Sequence, residues 1–169
     1  MNLEVIIRNK CPELSFIGKA GEGGFAEVAK VTLGNSVYAL KVQKLPNINP
    51  MGHEFEVHSA LSHIKGIPKA HKLYNGAILM DFIEGEMLWS AGKQQEKFFM
   101  EIYDTMNGIL DAGYSIASDF GCTNIMVGQD NSPWVIDFYK CISKTKDNSR
   151  QLIYDKSLMF SDLVKDYLR

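Results

Sequence analysis

The stretch Ser118-Asp-Phe-Gly-Cys-Thr-Asn-Ile-Met-Val127, followed by Trp134-Val-Ile-Asp-Phe138, places three polar side chains at a defined spacing. Asp119 supplies a carboxylate that can accept a hydroxyl proton, Asn124 supplies an amide five residues later, and Asp137 supplies a second carboxylate after a predicted hairpin. A base followed by two hard oxygen ligands for a divalent cation is the arrangement that a phosphoryl-transfer site requires. This stretch is therefore the candidate chemical centre of the chain.

The bulk properties fit one sizeable domain, or two small lobes that share a cleft. The chain has 169 residues, of which 46% are hydrophobic, and this supports a buried core. A net charge of −2 gives no large basic field, so we expect no nucleic-acid or membrane partner. Three cysteines without a CxxC pair indicate a reducing compartment. Because we find neither a hydrophobic leader nor an apolar stretch of membrane length, we expect a soluble cytoplasmic protein.

The first half of the chain predicts an antiparallel sheet with one helix. Its predicted strands are residues 15–18, 26–33, 37–43, 72–74 and 77–80, the last two joined by an Asn-Gly turn. Between these strands, residues 51–64 carry apolar side chains at helical spacing. The second half predicts helices at 94–112 and 159–168, with a small hairpin of 124–127 and 134–136 between them. The predicted fold class is therefore α+β.

A glycine-rich segment, Gly21-Glu-Gly-Gly-Phe-Ala-Glu-Val28, separates two of the predicted strands. Gly21 and Gly23 would let backbone amides approach phosphates, although such a cluster also suits a tight hairpin. Further along, Lys41 interrupts an otherwise apolar strand, and lysine is rarely buried without a partner. It is the candidate that binds the α and β phosphates and a carboxylate of the next helix; the alternative is a solvent-facing lysine.

Glu54 and Glu56 compete to be the partner of Lys41. We favour Glu54, because Val57 and Leu61 then lie at +3 and +7 on the packed side of the predicted helix. With Glu56 as the partner, two polar residues would occupy that side. The alternative is that both glutamates lie on a solvated face.

Residues 78–86, Ile-Leu-Met-Asp-Phe-Ile-Glu-Gly-Glu, form an apolar run that leads into a glycine-containing linker. Such a linker is where two lobes would hinge and where an adenine could meet free backbone groups. Met80 would limit the back of this pocket, and Asp81 and Ile83 would offer main-chain contacts. Glu86 would reach the ribose. Taken alone, the segment also suits an ordinary strand and turn.

With these motifs in this order, the chain resembles the protein-kinase-like superfamily over about residues 15–140. The resemblance implies a bilobal fold, with an antiparallel-sheet N-lobe and one helix in 1–83 and a strongly reduced, mainly helical C-lobe in 84–169. It implies ATP and Mg²⁺ as cofactors, Asp119 and Lys41 as catalytic residues, and Asn124 and Asp137 as metal ligands. The residues that it assigns to the nucleotide are Gly21, Gly23, Phe25, Val28, Ala39, Lys41, Glu54, Met80, Asp81, Ile83, Glu86 and Met126.

The chain departs from the kinase pattern in informative places. Ser118 stands where the family has the arginine that receives an activation-loop phosphate, and Tyr139 stands where it has glycine. Gly121 replaces a lysine that often contacts phosphate. The segment after Asp137 contains no Ala-Pro-Glu motif and no long activation segment. In these respects the chain is similar to the compact kinase-like effectors that bacteria deliver by type III secretion, which implies a minimal kinase.

This similarity implies a protein serine/threonine kinase that acts on a host protein, in the cytoplasm or, after secretion by bacteria, in the host cytoplasm. Because Ser118 cannot read an activation-loop phosphate, we expect activity without phosphorylation of the chain itself, with a protein partner that orders the glycine loop or the Glu54 helix as the substitute switch. One alternative is a small-molecule kinase of the aminoglycoside or choline type, which shares the Asp-x-x-x-x-Asn-Ile-x-Val pattern. Another is a pseudokinase that serves as an interaction module.

The four histidines, at positions 53, 58, 63 and 71, present no clear set of metal ligands. We expect them to be surface or capping residues.

Overall fold

The computed structural model describes residues 2–44, 50–115, 120–143 and 160–168. The chain forms two compact units, one of Met1–Ser59 with Pro68–Phe82 and one of Ala60–Ile67 with Ile83–Arg169. The first unit carries an antiparallel sheet of five strands, and the second is mainly helical with short strands. The predicted α+β class and reduced kinase-like fold are therefore confirmed.

The element bounds agree with most of the sequence predictions. The helices are α1 (Leu3–Lys10), α2 (Pro50–Leu61), α3 (Leu88–Ala91) and α4 (Glu96–Asp111), and residues 160–167 are also helical. The strands are β1 (Ser15–Glu22), β2 (Ala26–Leu33), β3 (Ser36–Gln43), β4 (Ala70–Tyr74), β5 (Ala77–Asp81), β6 (Gly85–Met87), β7 (Tyr114–Ser115), β8 (Ile125–Gly128), β9 (Pro133–Val135) and β10 (Ile142–Ser143). Within the described part of the chain, no helix has the length and apolar character that crossing a bilayer requires.

The sheet of the first unit has the strand order β1-β2-β3-β5-β4, and every neighbouring pair is antiparallel. Because side chains alternate along each strand, the sheet presents two apolar faces. One face packs against α1 and the other packs against Met51 of α2. The α1 face contains Ala29, Val31, Leu40, Val42, Ala77 and Leu79, and the α2 face contains Ala26, Ala39, Ile78 and Met80.

Helix α1 was not predicted from the sequence, although its signals are present. The side chain of Asn2 accepts a hydrogen bond of 3.2 Å from the Val5 N–H and so caps the helix. Leu3 and Ile7 lie one turn apart and are both buried against the sheet. A capping Asn followed by apolar residues four positions apart is a helix signal that the strand-rich sequence around it obscures.

The second unit combines α4 with the sheet β6-β8-β9. Helix α4 buries one apolar stripe, made of Phe98, Phe99, Ile102, Met106 and Ile109. Gly85 brings β6 close to β8, because a Cβ at this position would collide with the carbonyl oxygen of Val127. The Val135 N–H donates to the Gly66 carbonyl at 2.8 Å, and this bond ties β9 to the segment that follows α2. These contacts fix the short hairpin β8–β9, from which the metal-binding residues are predicted to come.

Candidate functional site

Lys41 lies in the centre of the five-stranded sheet and is paired with a buried carboxylate. It is opposite Val28 of β2 and Ile78 of β5, and its side chain is 12% exposed. Its Nζ donates to both carboxylate oxygens of Glu54, at 2.8 and 2.9 Å. Glu54 is 0% exposed. The two residues form what we call the lysine half-site, and the solvent-facing alternative for this pair is wrong.

The apolar periodicity of helix α2 places Glu54 on the side of the helix that packs against the rest of the unit. Val57 and Leu61, at +3 and +7, are 1% and 0% exposed, whereas Glu56 is exposed. Glu54 therefore shares the packed side of the helix with two apolar residues, as its spacing from them predicted. Sequence reasoning chose the residue that the structure pairs with Lys41.

The charges of the lysine half-site depend on each other. Burial raises the pKa of Glu54, but the neighbouring His58 and Lys41 outweigh it, and the pKa falls from its ordinary 4.5 to about 2. The carboxylate is therefore ionised at neutral pH. Removing one member of such a pair leaves an uncompensated buried charge, which typically costs about 3–5 kcal/mol of stability.

Several residues predicted to contact the nucleotide share one face of the sheet with Lys41. Ala39 lies opposite Met80 in the β3–β5 ladder, and both belong to the apolar cluster on the α2 side. Val28, which pairs with Lys41 across β2 and β3, packs against the same cluster. Gly21 lies opposite Val28 in β1. The strand register thus gathers these residues beside the lysine half-site.

The glycine-rich segment is the β1–β2 hairpin. Gly21 ends up inside β1, and only residues 23–25 form the turn. The Gly23 N–H donates to the Ala26 carbonyl at 2.8 Å, and the Lys44 N–H donates to the Phe25 carbonyl at 2.9 Å. Phe25 is 45% exposed at the tip. The tight hairpin is therefore observed, and a role of these glycines at phosphates stays a prediction.

The residues of the predicted hinge lie in β5, in β6 and in the segment between these strands. Asp81 ends β5, where its N–H donates to the Lys69 carbonyl at 2.9 Å and its carboxylate contacts His71 Nε2 at 2.6 Å. Because its N–H is used in this way, a main-chain contact from Asp81 to a nucleotide would use the carbonyl oxygen. In the second unit, Ile83 is half-buried and Glu86 is exposed on β6. Their nucleotide contacts stay predictions.

Asn124 and Asp137 lie at the same end of the hairpin β8–β9. Ile125 pairs with Val135, and the Ile136 N–H donates to the Asn124 carbonyl at 2.9 Å, so the ladder continues up to these residues. The carboxylate of Asp137 accepts a bond of 3.4 Å from the Tyr139 N–H. We call Asn124 and Asp137 the metal half-site, after the role that the sequence predicts for them. Met126 lies on β8 between them and the turn.

Asp137 adopts a positive φ of 66°. This left-handed backbone is rare for most residues but is tolerated by aspartate. Asp119, the predicted base, and the neighbouring Ser118 lie outside the described residues.

The donor atoms of the metal half-site suit magnesium, because amide and carboxylate oxygens are the hard ligands that this ion prefers. Among the described residues, no group of three or more His, Cys, Asp or Glu side chains could hold a metal by itself. Magnesium is commonly bound by one or two carboxylates together with substrate phosphates. The residues therefore fit an ion that is held jointly with a phosphate ligand rather than a closed metal site.

The second unit also contains a polar cavity of about 420 Å³. It is lined by Lys65, Lys93, Gln94, Gln95, Lys97, Phe98, Glu101, Asp130, Asn131 and Ser132. Glu101 contacts Lys65 at 3.1 Å and Lys97 at 3.7 Å, so these oppositely charged side chains of the lining offset each other. None of the predicted site residues belongs to its described lining.

The sequence prediction for the histidines is wrong at one position. His53, His63 and His71 are exposed, as expected, but His58 is 0% exposed and lies beside Glu54. The signal that could have found it is its spacing, because a residue four positions after Glu54 on a helix must lie next to it.

Comparison with protein families gives a match over residues 38–157 to the RIO domain. The matched range contains Lys41, Glu54, Asp119, Asn124 and Asp137, whereas the glycine-rich hairpin lies outside it. A comparison with curated proteins found no match. RIO domains form an atypical protein-kinase-like family with kinase or ATPase activity, which supports ATP binding and phosphotransfer in general. Because the match spans well over half of its length, the chain belongs to the RIO domain family.

Proposed function

We propose that this protein is an ATP- and magnesium-dependent protein kinase that phosphorylates serine or threonine on a protein. The observation that carries the proposal is the buried contact of Lys41 with both oxygens of Glu54 in a chain of the RIO domain family. A lysine held in this way presents its charge at a fixed point of the sheet, as phosphate binding requires. The joint presence of Lys41, Asp119, Asn124 and Asp137 favours an enzyme over an interaction module.

Each half-site has a distinct task in this proposal. Lys41 binds the α and β phosphates, and Glu54 fixes the lysine in position. Asn124 and Asp137 would hold magnesium, which supplies charge neutralisation at the phosphates when bound. Asp119 accepts the proton of the attacking hydroxyl. Ala39 would lie against the adenine, and Met80 would limit the back of its pocket.

We further propose that the substrate is a host-cell protein and that the enzyme acts in the cytoplasm or, after secretion, in that of the host cell. An activating protein partner regulates it there. Support for this comes from the similarity to compact secreted effector kinases and from Ser118, which cannot read an activation-loop phosphate as arginine does. The family membership supports the protein-kinase-like class, and a small-molecule acceptor is the alternative that the experiment must separate.

The test is to incubate the protein with γ-labelled ATP, magnesium and a host-cell lysate, and to follow label in protein, in small molecules and in free phosphate. Asp137→Asn is the inactive variant, because asparagine keeps the shape and tolerates a positive φ. Asp111→Asn, at an exposed position in the last turn of α4, is the matched control. Phosphoserine or phosphothreonine that depends on Asp137 but not on Asp111 is the expected result.

Label confined to small molecules would instead identify a small-molecule kinase. Release of free phosphate without any labelled acceptor would identify an ATPase. Label that is equally strong with Asp137→Asn would contradict the proposed site.

A further inference from the structure

His58 is a buried, titratable side chain one helical turn after Glu54. Both residues are 0% exposed, and both lie on α2, where positions four apart are neighbours. Histidine is only intermediate in its tendency to be buried, so a fully buried imidazole is held by specific polar contacts. The contacts of this ring are informative because each ring nitrogen faces a different kind of group.

The first ring nitrogen is anchored to the backbone. His58 Nδ1 lies 2.8 Å from the Pro68 carbonyl oxygen. Because a carbonyl oxygen can only accept, Nδ1 must carry a proton and donate it, and Nε2 can donate toward Glu54 only in a ring that is protonated at both nitrogens. This bond fixes the orientation of the ring and connects α2 to the segment that leads into β4.

The second ring nitrogen faces the lysine half-site. His58 Nε2 lies 3.7 Å from Glu54 Oε1, which itself lies 2.8 Å from Lys41 Nζ. The Glu54 carboxylate is therefore bordered on one side by Lys41 and on the other by an imidazole that cannot turn away without breaking its bond to Pro68. A glutamate side chain has several rotatable bonds, and these two neighbours limit the orientations in which it can be buried.

We propose that His58 is a positioning residue, which holds the Glu54 carboxylate toward Lys41 and thereby affects phosphoryl transfer. The proposal rests on the function proposed above. Although burial raises the pKa of Glu54, His58 is among the groups that lower it, in agreement with a ring that favours the charged carboxylate. His58 itself does not need to touch the nucleotide, because its effect passes through Glu54.

A double-mutant cycle with His58→Leu and Glu54→Gln tests this route of action. We expect His58→Leu to lower kcat/KM for ATP by about tenfold in the wild-type background and by less than about twofold in the Glu54→Gln background, since contacting residues that act as one unit are not additive. Equal losses in both backgrounds would overturn the proposal, because they would mean that His58 acts independently of Glu54. His63→Leu, the same change at an exposed histidine, is the control and should be without effect.

Two conservative variants separate positioning of Glu54 from anchoring of the helix. The amide of His58→Gln can reach the place of Nε2 and donate toward Glu54, whereas His58→Asn is shorter and can reach only the Pro68 carbonyl. We expect Gln to recover most of the activity lost in Leu, and Asn to recover stability but little activity. Full activity in Asn would overturn the proposal, because the bond to Pro68 would then suffice.

The same double-mutant cycle can be measured on the free energy of unfolding, which needs no enzyme activity. Urea unfolding of the four proteins, without nucleotide, measures whether the stability effects of His58→Leu and Glu54→Gln are additive. Non-additive unfolding free energies are expected, and additive ones would overturn the inferred coupling. A wild-type protein that transfers no phosphate would defeat the proposed function, yet this measurement would still decide whether His58 acts on Glu54.

Discussion

The lysine half-site buries its charged groups, whereas the metal half-site leaves its polar groups partly exposed. Lys41 and Glu54 neutralise each other within the sheet and helix of the first unit, with Glu54 fully buried. Asn124 and Asp137 are only half-buried, at one end of a short hairpin of the second unit, and offer oxygen acceptors. The first pair is closed without a ligand, whereas the second is suited to be completed by a cation and phosphate. Damage to the first should therefore affect both stability and activity, and damage to the second chiefly activity.

The largest effect on activity is expected at the metal half-site. Asp137→Asn should lower the rate of phosphate transfer by at least about a hundredfold, because a metal ion contributes several kcal/mol to the transition state. It should also abolish the magnesium-dependent thermal stabilisation by ATP. The free energy of unfolding without ligand should change by less than about 1 kcal/mol, as at other partly exposed positions. Undiminished stabilisation by magnesium and ATP would remove Asp137 from the site.

Lys41→Met tests whether the two half-sites really differ in their effect on stability. The sequence alone predicts that this change spares the fold, since an apolar residue suits a strand. The buried partner changes that expectation: activity should fall strongly, and the protein should lose about 3–5 kcal/mol because Glu54 remains as a buried charge that has lost its lysine.

The double variant Lys41→Met/Glu54→Leu, with an apolar pair in place of the ions, serves as the control for Lys41→Met. It should recover most of the stability but none of the activity, as urea unfolding and transfer assays can show. A Lys41→Met protein as stable as the wild type would mean that the ion pair does not hold the first unit together.

The pH dependence of stability is expected to be a property of the lysine half-site. Since the folded pKa of Glu54, about 2, lies below its ordinary 4.5, the protein gains stability from the charged carboxylate above pH 4.5 and loses that gain as the pH falls toward 2. The stability difference between wild type and Glu54→Gln should therefore be constant near neutrality and shrink between about pH 4.5 and 2. Glu56→Gln, at an exposed position of the same helix, should show no such window. A difference that persists unchanged at pH 2 would contradict the assigned cause.

The sequence predicted the fold better than it predicted the surroundings of the site. Alternation and helical spacing were sufficient to locate the central strands and to select Glu54, because Val57 and Leu61 mark the packed side of α2. The β-hairpin that presents Asn124 and Asp137 was also visible in the pattern. The burial of His58 was missed although its spacing from Glu54 was a signal for it. Its anchor could not be predicted, because the Pro68 carbonyl lies in a segment that joins the helix only in the fold.

The smallest effect is expected from phosphorylation of the protein itself. In protein kinases that carry an activation loop, phosphorylation of that loop controls whether the lysine and its glutamate meet. Here Lys41 and Glu54 are in contact in the unmodified chain, and Ser118 stands in place of the arginine that would read such a phosphate. Protein stripped with phosphatase, and shown by intact mass to carry no phosphate, should therefore transfer phosphate at a rate within about twofold of the untreated protein, since the contact of Lys41 with Glu54 that such a phosphate would control is already formed. If the stripped protein were inert and recovered only after phosphate was restored to its own chain, the lysine half-site would need a switch that its closed geometry does not provide.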